Sequence, residues 1–300
     1  MAAKRVMLFG ASGQVGQALL SQKLPQDWEL FPVTRADADI TDHRATQNVI
    51  GSFKPDLVIN SAAMTAVDAC ETEKIAAMKV NFDAAASIAA QCSAVDAPII
   101  HLSTDFVFDG KATTPYQVDD VMDPPNVYGE TKMMGEEAVR HEHSWHVILR
   151  ISSVFSSFGQ NLLTRMLHNI DTRDEIKAVT DQTSCPTYAP DIAAALITIT
   201  NAILTGKADG FGTFHLTGSP AATRLEFTEA IMEAYAPHTE KRPIIRPALT
   251  ADFPGFAPRP TYSVLDCSKI ERVYGITQKP WRESLMDAMQ RVMQSRSKVA

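Results

Sequence analysis

Cysteine is scarce in this chain: there are four in 300 residues, Cys70, Cys92, Cys185 and Cys267, and no two stand in a Cys-x-x-Cys spacing. That excludes the usual zinc and dithiol patterns and leaves scattered, buried or inert free thiols as the expectation. No other spacing suggests a metal site, and His43, His101, His141 and His143 read as surface or core histidines rather than ligands. Runs of Lys and Arg are missing as well, and the formal charge is −7. An electrostatic nucleic-acid partner is therefore not expected, and a small-molecule substrate is. The apolar run that follows Met-Ala-Ala-Lys-Arg covers only residues 6–9, far too short for a signal-peptide core or a membrane span. The expectation is a cytoplasmic protein without a membrane partner. No internal repeat and no low-complexity segment is present.

What is there fits a soluble enzyme. The apolar fraction is 45% and the charged fraction 21%, both ordinary for a globular fold, and the length suffices for one large domain or two of usual size. Residues 4–9 read as a short buried strand running directly into Gly10-Ala11-Ser12-Gly13-Gln14-Val15-Gly16, with a helical stretch at 17–20 behind it. Glycines allow a tight turn and close backbone approach, and a helix N-terminus offers free amides to a pyrophosphate. The spacing is G-x-x-G-x-x-G, and its strand-before, helix-after context predicts dinucleotide binding. A second strand, 28–33, ends at Thr34-Arg35 ahead of Asp39-Ile40. An acid there would grip an adenosine ribose, whereas an arginine suits an additional 2′-phosphate; Arg35 favours NADPH, with NADH as the alternative cofactor.

Thr41-Asp42 predicts an N-cap for a helix at 43–53, stopped by Lys54-Pro55-Asp56 before a strand at 57–60. Small residues follow, among them Ala62, Ala63 and Thr65, with Met64 between, and small side chains beyond a strand end let a flat cofactor lie close to the backbone. A helix is expected over 69–94; its Asn81 either bonds to local backbone or stabilises the active-site backbone and water. The strand 99–102 delivers Ser103-Thr104-Asp105 at its carboxyl end, where ligands gather in open α/β sheets. About one loop later comes Tyr128-Gly129-Glu130-Thr131-Lys132 on a predicted helix over 132–139, where positions four apart share a face. Strand, hydroxyl, loop and Tyr-x-x-x-Lys form a proton-donor constellation of Thr104, Tyr128 and Lys132, in which the ammonium is expected to lower the phenol's pKa.

With a fifth strand at 146–150 the alternation predicts an α/β fold, a doubly wound parallel sheet of Rossmann type over residues 1–152 to which later segments can return. A smaller C-terminal α+β part, 153–300, is expected to be mainly substrate-binding. It shows helices at 161–170, 191–204, 225–235 and 281–292, strands at 176–179 and 213–216, and a proline-marked irregular region over 237–260.

These motifs resemble the extended short-chain dehydrogenase/reductases, and within them the dTDP-4-dehydrorhamnose reductase family. The likeness is carried by GASGQVG at 10–16, NSAAMTAVDACE at 60–71, LSTDFVFDG at 102–110, NVYGETKMMGE at 126–136, DQTSCPT at 181–187 and RPTYSVLD at 259–266. It implies NAD(P)H-dependent reduction of the C4 ketone of a nucleotide-linked 4-keto-6-deoxysugar, the last step toward dTDP-L-rhamnose. It also implies roles: Thr104, Tyr128 and Lys132 in catalysis, Ser12, Gly13 and Gln14 at the pyrophosphate, Asp39 and Ile40 by the adenine. Ala63, Met64, Thr65 and Leu102 would lie along the remaining cofactor, and Val67, Thr104, Asp105, Phe106 and Ser153 would face the sugar. A homodimer is compatible with the resemblance. Phe106, Ser153 and Met64 depart from the family's usual Tyr, Trp and His or Tyr, which leaves two further readings open. One is a related reductase acting on a different nucleotide sugar or carbonyl compound; the other is a cofactor-binding regulatory subunit similar to the β subunit of methionine adenosyltransferase.

Overall fold

The computed structural model describes residues 3–297. β1 (Lys4–Phe9) is buried through its last four residues, and the chain turns at Gly10 into α1 (Gln14–Leu20). β2 (Trp28–Val33), α2 (His43–Phe53) and β3 (Leu57–Asn60) follow. Asp42 caps α2 through the amides of Arg44 and Ala45, and Lys54 ends it in the left-handed region at φ 51°.

The continuous helix expected over 69–94 is broken. The chain forms α3 (Val67–Thr72), α4 (Lys74–Met78), a π-helical turn at Lys79–Asp83 and α5 (Ala84–Ala94). A π turn inserts an extra residue, and here it carries Asn81 into the interior. β4 (Ile99–Thr104) comes next, then a 3-10 turn at Asp105–Val107, α6 (Val127–Glu142) and β5 (His146–Ile151). Gly135 does not interrupt α6; a Cβ there would stand 2.2 Å from the Asn81 carbonyl oxygen, so the glycine is what lets α6 close onto the π turn.

The second half comprises β6 (Val154–Phe155), α7 (Leu162–Thr172), β7 (Glu175–Val179), β8 (Thr183–Ser184), β9 (Thr187–Tyr188), α8 (Ala189–Leu204), β10 (Gly212–His215), β11 (Ala222–Thr223), α9 (Arg224–Tyr235), β12 (Ile244–Ala248), α10 (Ser268–Tyr274) and α11 (Trp281–Ser297). Six strands form one parallel sheet in the order β10-β5-β4-β3-β1-β2, with helices on both faces. On one face Val15, Ala18 and Leu19 of α1 pack with Leu196 and Ile199 of α8 over Leu8 and Leu149. On the other Ile50, Phe53, Ile88 and Val139 cover Met7, Phe9, Val58 and Ile148. Each Val, Leu, Ile, Met or Phe among them contributes on the order of 1.5–3 kcal/mol by leaving water, and Ala18 less. The strands read as continuous apolar runs because both faces are covered.

β10 and α8 thus return from the second half to complete the sheet. A separate core of Phe155, Leu167, Ile231, Trp281 and Leu285 joins α7, α9 and α11. The region 237–260, read as irregular for its prolines, contains a strand after all: β12 pairs in parallel with β7, Pro247 included, in a two-stranded sheet where an edge leaves room for a residue without an N–H.

Candidate active site

All strands of the main sheet run the same way, so the ends of β1, β3 and β4 open on one edge. This single fact of topology gathers residues from distant motifs. The Gly10 turn is at the end of β1, Arg35 and Asp39 lie beyond β2, Ala62 to Thr65 beyond β3, Thr104 to Phe106 at β4, and Ser153 beyond β5.

The glycine turn is a backbone cradle. Gly10 sits at φ +78°, and a Cβ on it would stand 2.6 Å from the Ala62 nitrogen; one on Gly16 would stand 2.3 Å from the Gly10 carbonyl oxygen. Val15 and Gly16 are buried within α1 while Ser12 and Gly13 are exposed at its start. Gln14 reaches into the second half, its Oε1 accepting from Ser156 Oγ at 2.9 Å. An exposed turn of small residues against a strand-end loop fits a dinucleotide pyrophosphate. Arg35 is highly exposed and pairs with Asp39 at 2.9 Å; Asp39 in turn accepts from the Thr41 amide and hydroxyl, and these bonds hold its pKa below the usual carboxylate value. Ile40 is buried beside this pair.

Asn81 resolves to the second of its two readings in part: it braces backbone, but backbone distant in sequence. Its Oδ1 accepts from the Met64 amide at 2.8 Å, and its Nδ2 donates to the Met64 carbonyl at 3.1 Å and to Thr131 Oγ1 at 3.1 Å. The loop after β3 is thereby tied to α6, one residue before Lys132.

Tyr128 and Lys132 lie in the first two turns of α6, which Asn126 caps through the Gly129 amide at 2.8 Å. Tyr128 packs with Met64, Val67, Cys70 and Phe106, edge-on to the Phe106 ring at 5.7 Å, and its phenol is in hydrogen-bond contact with the Thr104 hydroxyl. The expected coupling of ammonium to phenol is not what the structure shows. Lys132 Nζ donates to the Leu102 carbonyl at 2.7 Å and lies 3.2 Å from His101 Nε2. A lysine that is 2% exposed has no water to serve, so its Nζ turns to the nearest fixed polar partners on β4. Burial lowers the Lys132 pKa to about 8 and raises that of Tyr128 well above its ordinary value, with the Thr104 bond opposing. The phenol is therefore held as an acid at neutral pH.

Beside them, Asp105 is 2% exposed and receives the Ser152 hydroxyl at 2.7 Å and the Thr104 hydroxyl at 3.0 Å. Burial raises its pKa; the bonds from Ser152, Ser263 and Thr104 pull the other way. Ser153 adopts φ +44°, a conformation that a non-glycine residue holds at a cost of roughly 1 kcal/mol or more, and its hydroxyl pairs with that of Ser184 at 2.7 Å. A cavity of about 660 Å³ opens where Asp68, Arg165, Arg173, Glu175, Lys177, Arg224 and Arg259 come together, and Arg224 in its wall feels the charge of Asp105. Five cations face two carboxylates there. Burial and the nearness of Arg165 and Arg259 lower the Arg224 pKa to about 10. Phe253 and Phe256 stand on the cavity's rim, crossing edge-on at 6.1 Å.

Asn60, Ser152, Arg165 and Arg224 stand outside the residues expected from the motifs, and His101, expected as an ordinary core or surface residue, faces Lys132 instead. Asn60 and His101 were detectable as polar residues within otherwise apolar strand runs. Arg165 and Arg224 carry no local signal, because only the fold brings α7 and α9 together.

The RmlD substrate binding domain family model matches residues 4–294. A dTDP-4-dehydrorhamnose reductase of Sinorhizobium fredii is 38% identical over 281 residues, covering 93% of this chain and 95% of the relative. Among solved structures, a dTDP-4-dehydrorhamnose reductase of Clostridium acetobutylicum superposes with a TM-score of 0.89 at 32% identity, over 96% of this chain and 99% of the other. One from Bacillus anthracis, solved in complex with NADP, gives 0.87 at 30% identity over the same shares. With its length matched almost end to end, the chain belongs to the dTDP-4-dehydrorhamnose reductase family.

Proposed function

We propose that this protein reduces the C4 ketone of a nucleotide-linked 4-keto-6-deoxysugar with NADPH, as a dTDP-4-dehydrorhamnose reductase. The observation that carries the reading is a cationic cavity, in a chain of net charge −7, whose Arg224 feels the charge of Asp105, the residue after Thr104. A nucleoside diphosphate needs such positive charge, and the reacting sugar needs a proton donor at a fixed distance from it. Residues 153–300 supply most of the cavity, with Asp68 entering from the first half.

The nicotinamide supplies the hydride when bound. The chain does the rest. The Gly10 turn, with Ser12, Gly13 and Gln14, would hold the pyrophosphate; Arg35, Asp39 and Ile40 the adenosine end; Ala62, Ala63, Met64, Thr65 and Leu102 the remainder. Tyr128 delivers its phenolic proton to the ketone oxygen, and Thr104 steadies that oxygen and the phenol. Lys132 would hold the cofactor ribose with a donor that its bond to the Leu102 carbonyl leaves free. Val67, Phe106 and Ser153 shape the sugar's surroundings. The complete Thr-Tyr-Lys set and the cavity both favour an enzyme over a regulatory subunit.

Oxidation of NADPH on adding dTDP-4-dehydrorhamnose tests the reading: consumption is the expected result, and cofactor binding without turnover would remove it. Arg224→Met should raise the sugar-nucleotide KM at least about tenfold, roughly 1.4 kcal/mol of ground-state binding, while kcat changes little. Arg35→Ala should raise the KM for NADPH by about tenfold and leave that for NADH unchanged, because an exposed guanidinium at the end of β2 has only the 2′-phosphate to distinguish.

A further inference from the structure

Asn60, His101 and Lys132 stand in line on β3, β4 and α6, and each is at most 2% exposed. The proposed chemistry uses the third and gives no work to the other two. Their hydrogen-bond accounting is tightly constrained. Asn60 Oδ1 accepts from the Ala62 amide at 3.2 Å, which turns its Nδ2 toward His101 Nδ1 at 3.3 Å. An amide nitrogen only donates, so Nδ1 accepts; a neutral imidazole has one N–H, which then sits on Nε2. Nε2 faces Lys132 Nζ at 3.2 Å. That N–H finds a lone pair on a lysine amine and none on an ammonium.

The ammonium needs the opposite arrangement. Nε2 must accept, the imidazole proton moves to Nδ1, and Nδ1–H then requires an oxygen. Asn60 provides one only by turning its amide over, which releases the Ala62 N–H in the loop that follows β3.

We propose that His101 is a positioning residue that couples the protonation of Lys132 to the orientation of the Asn60 amide, and through it to the Ala62 backbone. For each lysine protonated, one proton is taken up from solvent, and the imidazole stays neutral while its own proton passes from Nε2 to Nδ1. Burial, and secondarily the lysine's charge, hold His101 well below its ordinary pKa, and burial brings Lys132 to about 8, so both states are within reach near neutrality. The charged and titratable groups facing this line are Glu136 on α6, which favours the ammonium and is itself paired with Arg150 of β5 and Arg140, together with Asp105 in the turn after β4 and the Cys70 thiol on α3, both of which act on Tyr128. Consequences for turnover rest on the reductase reading; the coupling itself does not.

The direct test follows the imidazole nitrogen resonances of His101 in the full chain without cofactor, assigned with His101→Gln, while the Lys132 ε-carbon resonance reports its titration. The expected result is an Nε2–H tautomer above the lysine's titration and an Nδ1–H tautomer below it. A single tautomer throughout overturns the proposal, whether or not any sugar is reduced. A second test uses Asn60→Asp, whose carboxylate can satisfy the Ala62 N–H and Nδ1–H together. The lysine's titration should move up by about one unit, a tenfold change in proton affinity, and by less than half as much in a His101→Phe background. No movement, or equal movement in both backgrounds, shows charge acting through space or not at all, and either outcome overturns the coupling. The tautomer measurement needs no variant to fold beyond the one used for assignment.

Discussion

Tyr128→Phe is expected to lower kcat by about 10³-fold, roughly 4 kcal/mol of transition-state stabilisation, while the dissociation constant for NADPH changes less than about twofold. The ring itself is a packing element: it lies among Met64, Val67, Cys70 and Phe106 and meets Phe106 edge-on. A phenyl group fills the same space, so the variant should keep its fold and its melting temperature. What it loses is the proton donor that contacts Thr104. Single-turnover reduction separates the two contributions, since a slow step at saturating cofactor and substrate isolates proton delivery from binding. Activity at the level of the unaltered protein would end the assignment of Tyr128 as the acid.

Arg150→Met is expected to cost about 3 kcal/mol of folding free energy. Arg150 and Glu136 are 1% and 0% exposed, joined by two bonds of 2.9 and 2.7 Å. Removing the guanidinium strands a carboxylate in the interior, which is typically worth 3–5 kcal/mol; the remaining bond from Arg140 at 2.7 Å places this case at the low end. The double variant Glu136→Leu, Arg150→Met should lose less than the single, because no buried charge is left unpaired. Denaturant unfolding of the three proteins decides it. Arg150 also donates to the Val118 carbonyl and to Met122 Sδ, and lies over the Phe108 ring at 5.0 Å. The loop between β4 and α6 should therefore loosen in the single variant, and kcat should fall with stability.

The same pair sets an acid limit. Burial acts to raise the Glu136 pKa, but the bonds and charge of Arg150, with Arg140 behind it, bring it below the usual glutamate value. A carboxylate lowered on folding contributes stability that is complete above the unfolded pKa, about 4.3, and is lost as pH falls through the folded value.

The alternation of strands and helices, the Gly10 turn and the Tyr128–Lys132 spacing are local features, and local features are legible in a sequence. The Asp42 cap and the Lys54 stop were readable for the same reason. Lys132's true partners were not, because the Leu102 carbonyl and His101 come near only when β4 lies beneath α6. Arg165 and Arg224 meet across two helices, and Ser153 meets Ser184 across two short strands; neither pairing has a spacing to betray it. The π turn at Lys79–Asp83 (Lys-Val-Asn-Phe-Asp) lay between alanine-rich helical stretches, and propensity says nothing about an inserted residue. β12 hid behind Pro247, since a proline argues against a strand unless an edge is known to be available.

β5 gains its outer neighbour only from β10, and this gives synthesis an order of events. When a ribosome has released residue 151, the growing chain displays a strand with an apolar centre, Val147 to Leu149, and one unpaired side. At about 5–20 residues per second, several seconds pass before His215 emerges to close it. In that interval the open margin of β5 is a template for any extended segment in reach. Nascent chains of this protein are thus most vulnerable to mispairing between the completion of β5 and the arrival of β10.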